Sequence, residues 1–120
     1  MPTPRMQLGA YGEALVASHL QAQGYRIVER NWRCPGGELD IVARQGDEWV
    51  FVEVRTRRAQ DTDPAIESLT AAKQNRLLAA VNAYLEAHNL EESSWRVDLA
   101  VVALNRRGPR IEVIRDAISW

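Results

Sequence analysis

The stretch Gly36-Gly37-Glu38-Leu39-Asp40-Ile41-Val42-Ala43-Arg44-Gln45-Gly46-Asp47-Glu48-Trp49-Val50-Phe51-Val52-Glu53-Val54-Arg55 decides how this chain is read. Two runs rich in β-branched residues flank Gln45-Gly46-Asp47-Glu48, where Gly46 can take the backbone angle that a tight reversal demands. The pattern predicts a β-hairpin. A tip at Gly46-Asp47, or one spanning all four residues, gives one register: Arg44 opposite Trp49, Val42 opposite Phe51, Asp40 opposite Glu53 and Glu38 opposite Arg55. The two-residue period of a strand puts those eight side chains on one face. Leu39, Ile41, Ala43, Val50, Val52 and Val54 fall on the other. The second face is apolar throughout. The first turns from apolar near the tip to charged at the far end.

Asp40 facing Glu53 is the unusual feature, because like charges across a strand pair are destabilising. At about 5 Å and an effective dielectric near 20, two carboxylates repel by roughly 3 kcal/mol. A divalent cation, a shared proton or a nearby arginine has to offset that repulsion. Glu38 and Arg55, one step along the same face, predict a cation site with a basic group beside it. The competing reading makes Asp40 and Glu53 solvated edge carboxylates neutralised by Arg55 and Arg44. Their setting inside Leu39-Asp40-Ile41-Val42 and Phe51-Val52-Glu53-Val54 argues against full solvation.

The rest of the chain sets bounds on this hairpin. With 120 residues there is enough chain for one domain and a real core, not for two. It is 46% hydrophobic and 26% charged, ordinary for a globular protein. No apolar run reaches the length of a membrane span, and Met1-Pro2-Thr3-Pro4-Arg5 lacks the apolar core of a secretory signal. The single cysteine, Cys34, excludes an internal disulfide and fits a reducing cytoplasm. The net charge of −1 gives no overall nucleic-acid signature. Arg26, Arg30, Arg33, Arg44, Arg55, Arg57 and Arg58 nevertheless gather around the hairpin, which allows a local phosphate-binding patch. Of fifteen basic residues only Lys73 is a lysine.

In chain order, residues 1–6 read as a disordered lead-in to a single domain spanning 7–120. A helix is expected from about Gln7 to Gln23, with Leu8, Leu15, Val16 and His19 near one stripe, stopped by Gly24. Gly9 and Gly12 each cost about 1 kcal/mol relative to Ala inside a helix, so they mark either fraying or close approach of another backbone or a ligand. Glu13 lies at the margin of the stripe. Tyr25 to Arg30 alternates as a first strand, Asn31 to Gly37 is a loop, and the hairpin supplies two more strands. Thr56 to Asp63 is a polar loop, and Asp63-Pro64 signals a helix start. Thr70 is a second cap, opening a helix to about His88 with Leu77, Leu78, Val81, Tyr84 and Leu85 on one face. Lys73 and Arg76 sit in its first turns, against the dipole preference for cations at a C-terminus, which hints at an anion contact. Trp95 to Leu104 and Arg110 to Arg115 are the last strands. The order α-β-β-β-α-β-β predicts an α/β sandwich with a central mixed sheet flanked by helices.

An Asp on one strand, a Glu-x-basic triplet on the next and a helix on either side resemble the PD-(D/E)xK nuclease superfamily, the restriction-endonuclease-like fold. Gly9-x-x-Gly12-Glu13, Gly24-Tyr25, Arg30-Asn31-Trp32-Arg33, Gly37-Glu38-Leu39-Asp40 and Phe51-Val52-Glu53-Val54-Arg55-x-Arg57 more closely resemble the YraN family, proteins similar to Holliday-junction resolvases. The similarity covers Gln7 to Leu104, including Lys73. It implies that Asp40 and Glu53, with the Val54 carbonyl, bind Mg²⁺ or Mn²⁺, with Glu13 completing the site through water and Glu38 as part of the motif. It implies catalysis by Asp40, Glu53, Arg55, Glu13 and Glu38 on DNA phosphodiesters, in branched or structured DNA, by a cytoplasmic homodimer. Arg33, Arg57, Arg58, Lys73 and Arg76 would contact phosphates. Position 55 departs from the pattern, which places Lys there. Arg55 keeps the charge and can grip a phosphate with two bonds, but it cannot release a proton at physiological pH. Three readings follow: a metal-dependent endonuclease that tolerates the exchange, a catalytically silent nucleic-acid-binding module on the same fold, or an interaction protein with no nucleic acid, consistent with the mild net charge.

Overall fold

The computed structural model describes residues 3–58 and 69–118, apart from the Arg5 side chain. Seven elements follow the expected order: α1 (Pro4–Ala22), β1 (Arg26–Cys34), β2 (Gly37–Gln45), β3 (Glu48–Arg58), α2 (Ala71–Ala87), β4 (Trp95–Asn105) and β5 (Gly108–Ile114). The strands form one sheet in the order β1-β2-β3-β4-β5. All neighbours are antiparallel except β3 and β4, which run parallel, so the chain must cross over between them. That crossover carries α2. The mixed α/β architecture is the one expected, and it is compatible with a restriction-endonuclease-like fold.

Each face of the sheet is covered by one helix. On the α1 side, Val16, Ala17 and Leu20 pack on Ile41, Ala43, Val50, Val52, Ala100 and Val102. On the α2 side, Leu77, Ala80, Val81, Tyr84 and Leu85 pack on Leu39, Val42, Phe51, Val97, Leu99 and Val101. The α2 stripe is the expected one, shifted so that Leu78 lies at its margin. In α1 the buried stripe is Val16, Ala17 and Leu20, while Leu15 only packs partly against it. Burial on two faces explains why β4 reads as an unbroken apolar run from Leu99 to Val102.

Several boundaries differ from the sequence reading. Helix α1 starts at Pro4, inside the expected lead-in, because Thr3 Oγ1 accepts the Met6 N–H at 3.1 Å and Pro4 is preset for the first helical position. Residues 1 and 2 lie outside the described part. Asn31 to Cys34 is strand rather than loop. Asn31 takes φ 55°, yet the register runs unbroken past it from Arg30–Ile41 to Trp32–Leu39, and Trp32 meets the Tyr84 ring edge-on at 5.1 Å. β3 continues to Arg58, since Thr56, Arg57 and Arg58 pair in parallel with Val102, Ala103 and Leu104. The remainder of the expected loop and the Asp63-Pro64 helix start lie outside the described residues, as does Trp120. Thr70 caps α2 as expected, its Oγ1 accepting the Lys73 N–H at 3.3 Å.

Two glycines fix how closely the layers approach. A Cβ on Gly12 would stand 1.7 Å from Thr56 Oγ1, so α1 could not rest on β3 with any larger residue there. A Cβ on Gly37 would stand 3.1 Å from the Arg76 carbonyl oxygen and 3.4 Å from Ala80 Cβ, which brings the start of β2 directly under α2. Both contacts lie at the same end of the sheet. Gly9, by contrast, has nothing within 4 Å of its would-be Cβ.

Candidate functional site

The hairpin register is the expected one near the tip: Arg44 pairs with Trp49, and Val42 with Phe51. The ladder then stops at Ile41 and Val52. Beyond that point β2 stays with β1, through Trp32–Leu39 and Arg33–Glu38, while β3 stays with β4, through Glu53–Leu99 and Arg55–Val101. The two strands part. Asp40 and Glu53, and Glu38 and Arg55, are therefore not ladder partners, which corrects the head-on pairing. Leu39 also departs from strict alternation and joins the α2-side core with Val42.

A fork in a sheet exposes backbone groups that a ladder would satisfy. Here a side chain does the work: Asp40 Oδ2 accepts the Val54 N–H at 2.8 Å. That bond spans the gap and holds Asp40 at its mouth. Glu53 reaches the same carboxylate and is hydrogen-bonded to it. Glu13 approaches from α1, hydrogen-bonded to Asp40 and to Asn31. Glu13, Glu38 and Asp40 bring carboxylate oxygens within 4.8 Å of one another. The two acids thus meet as expected, through their side chains, and Glu13 and Glu38 crowd in beside them.

Crowding shifts their proton affinity. Burial, then the hydrogen bond and charge of Asp40, push the Glu53 carboxyl up to about 9, against a smaller opposing pull from Arg55. Burial and the Asp40 charge push Glu13 up to about 7, with the Asn31 hydrogen bond and Arg30 pulling the other way. A hydrogen bond between two carboxyl groups needs a proton on one of them, and the raised value of Glu53 makes it the donor to Asp40. A proton on Glu53 offsets the repulsion foreseen from sequence.

Basic side chains share the space with the acids. A cavity of about 270 Å³ is lined by Gly37, Glu38, Glu53, Arg55, Lys73, Arg76 and Leu77. Arg55 and Glu53 come from β3, and Lys73 and Arg76 from the first turns of α2, which the close contact at Gly37 brings over the strand fork. Among the described residues, the buried Arg55 Nε has no hydrogen-bond partner. A guanidinium N–H left in that state inside a cleft is suited to an incoming acceptor. Arg33 forms a largely solvated ion pair with Glu38 at 3.3 Å, at the rim beside Cys34 and Arg76. Arg57 lines a different cavity, with Val101, Ala103, Asn105, Arg110 and Glu112. Arg58 sits at the end of β3, beside Leu104 of β4. Neither Arg57 nor Arg58 lines the acidic cleft. Sequence reasoning did not single out Asn31, whose turned backbone sets its side chain against Glu13. Asn tolerates the left-handed region better than most residues, and this was the available signal.

The model of the uncharacterised protein family UPF0102 matches residues 12–113. The chain belongs to UPF0102, the YraN family. A UPF0102 protein of Chloroflexus aurantiacus is 53% identical over 112 residues, 92% of this chain and 89% of that relative. One from Moorella thermoacetica is 45% identical over 119 residues, 98% and 99% of the two chains. One from Roseiflexus castenholzii is 44% identical over 110 residues, 91% and 89%. These UPF0102 proteins are therefore similar to the present chain over almost their full length. Among the described residues no helix is long and apolar enough to cross a membrane.

Proposed function

We propose that this UPF0102 protein is a metal-dependent endonuclease that hydrolyses DNA phosphodiesters, with branched or otherwise structured DNA as the substrate class. The observation that carries the reading is the strand fork itself. It gathers Glu13, Glu38, Asp40 and Glu53 beside a cleft that Arg55, Lys73 and Arg76 also line. An arrangement of clustered acids next to clustered bases fits a cation and a phosphate held side by side.

The residues present fit Mg²⁺ or Mn²⁺. The donors are all hard oxygens, and the proton held between Glu53 and Asp40 marks the place where positive charge is wanted. Asp40 and Glu53 would hold the ion, with the Val54 carbonyl as a further oxygen and Glu13 and Glu38 through water. Such an ion polarises the phosphodiester and acidifies a bound water. The chain's own part is orientation. Asp40 is fixed by the Val54 N–H, Arg55 presents a fork suited to two phosphate oxygens, and Arg76 adds charge at the cleft mouth. A water then attacks phosphorus and gives a proton to solvent, the bond to the leaving oxygen breaks with its electron pair, and that oxygen takes a proton from solvent. We take the acting unit to be a two-fold dimer in the cytoplasm, because a four-way junction offers two equivalent strands.

The deciding experiment is a cleavage assay on linear, flap and four-way DNA with Mg²⁺ and Mn²⁺, comparing wild type, Glu53→Gln and Arg55→Lys. Cleavage by wild type that Glu53→Gln abolishes supports the nuclease reading. A second reading rests on Arg55, whose guanidinium stands where a proton-releasing amine is expected: a module that binds nucleic acid without cutting it. Silence of every variant, with salt-dependent binding to the four-way DNA, would establish that module instead.

A further inference from the structure

We propose that Lys73 supplies the ammonium group at the reacting phosphodiester, delivered from α2 in place of the lysine that β3 lacks. This rests on the nuclease reading above and deepens it.

The first observation is compositional. Fourteen of the fifteen basic residues are arginine, including position 55, and the single lysine is Lys73. A chain that uses arginine for every other cation has kept an amine at one place. The second observation is positional. Lys73 lines the cavity that contains Glu38, Glu53, Arg55 and Arg76, so the lone amine stands in the acidic cleft and not on a solvated face elsewhere. The third is energetic. Lys73 is the third residue after the Thr70 cap, in the first turn of α2, where the helix dipole disfavours a cation by about 0.3–1 kcal/mol. Among the described residues no carboxylate forms an ion pair with it. Helix stability therefore does not explain its presence.

The two cations differ in what they can do. Arg55 carries a planar fork whose Nε is buried, so its donors are committed to one plane. An ammonium is a compact charge with three donors that rotate freely about the chain end. Lys73 can direct one N–H to a non-bridging phosphate oxygen and another to the attacking water. An arginine at that position would carry its donors fixed in one plane, so it could not follow the phosphate and the attacking water independently. The cleft thus divides the work, with Arg55 gripping the phosphate and Lys73 aligning the water with phosphorus.

Two measurements test this. In Mn²⁺ with four-way DNA, Lys73→Arg is expected to lower kcat by about 10–100-fold with KM changed less than about threefold, because positioning in the transition state is lost and charge is not. The exchange Arg55→Lys with Lys73→Arg should regain at least about tenfold in kcat over Lys73→Arg alone. Unchanged kcat in Lys73→Arg, or no recovery in the exchanged protein, overturns the assignment. Thermal melting of each variant with and without Mn²⁺ confirms that the fold and the ion site survive. The second measurement needs no cleavage. Acetic anhydride labels amines, and with one lysine in the chain the peptide carrying Lys73 is unambiguous. A phosphorothioate-blocked four-way DNA should protect Lys73 while leaving the N-terminal amine reactive. Equal labelling with and without that DNA overturns the assignment whatever the assay shows. A wild type that cleaves while Lys73→Arg matches it sinks only this inference; a wild type that neither binds Mn²⁺ nor cleaves sinks the nuclease reading itself.

Discussion

A buried and a half-buried acidic region of this small protein are handled in opposite ways. Asp98, in β4, is 1% exposed and fully matched. Both its oxygens accept from Arg96 Nε, at 3.1 and 3.3 Å, and Oδ1 also accepts the Asp116 N–H at 2.9 Å. Arg96 is itself bonded to Glu48, to Gln45 and to the Tyr25 hydroxyl, and Arg115 reaches the same two last groups. One ladder step beyond the Val52–Asp98 pair, at the strand fork, Asp40, Glu53 and Glu13 crowd together with the Val54 N–H, Asn31 and the proton on Glu53 to balance them. The same residue types tie elements together in one region and, on the proposed reading, hold a cation in the other. A structural carboxylate has its partner in the fold; a functional one leaves a charge unanswered.

That contrast can be broken most forcefully at Asp98. Removing it takes from the largely buried Arg96 one of its four partners, the one held by its Nε, so Asp98→Ala should cost about 3 kcal/mol or more in denaturant unfolding. A loss under about 1 kcal/mol would show that the network is dispensable. The cation site should respond in the reverse sense. Mn²⁺ at a hundred times its dissociation constant should stabilise the protein by about 2.7 kcal/mol, and Asp40→Asn should abolish the shift while Asp98→Ala keeps it.

A third prediction follows from proton linkage. Glu53 and Glu13 hold protons in the folded protein up to about 9 and about 7, whereas the unfolded chain releases them near the ordinary carboxylate value of 4.5. The native state then binds more protons than the unfolded state between those limits, so metal-free stability must fall as pH rises through that window. Glu53→Gln, neutral at every pH, should flatten the decline and raise stability at pH 8 by roughly 1–3 kcal/mol, each unit of pKa being worth about 1.4 kcal/mol. A steeper decline in the variant would reverse the sign argued here. Smallest in size, the two helix glycines should part company. Gly9→Ala should gain about 0.5–1 kcal/mol, and Gly12→Ala should lose about 1–3 kcal/mol against Thr56. Equal effects at both positions would mean that α1 adjusts over β3.

Much of the fold was legible because its signals are local. The hairpin tip, the register of Val42 with Phe51, the Thr70 cap and the α2 stripe depend on residues a few positions apart. The start of α1 was misplaced although Thr3-Pro4 is a helix-opening signal, because the polar, proline-bearing lead-in reads equally as disorder. Asn31 to Cys34 was misread for a different reason. A strand at a sheet edge with a turned residue in it shows no alternation, and only Leu39 across the ladder and Tyr84 above it give Trp32 its place.

The candidate site divides along the same line. Sequence alone determined which acids stand at the end of the hairpin, that their charges conflict, and that the chain has a single lysine. The tertiary structure decided that β2 and β3 part after Ile41 and Val52, that Glu13 enters from α1, and that α2 brings Lys73 and Arg76 over the gap. Periodicity reports how neighbours in the chain face one another. Where two strands separate depends on the other strands each one prefers, and that competition is settled only when the whole sheet is assembled.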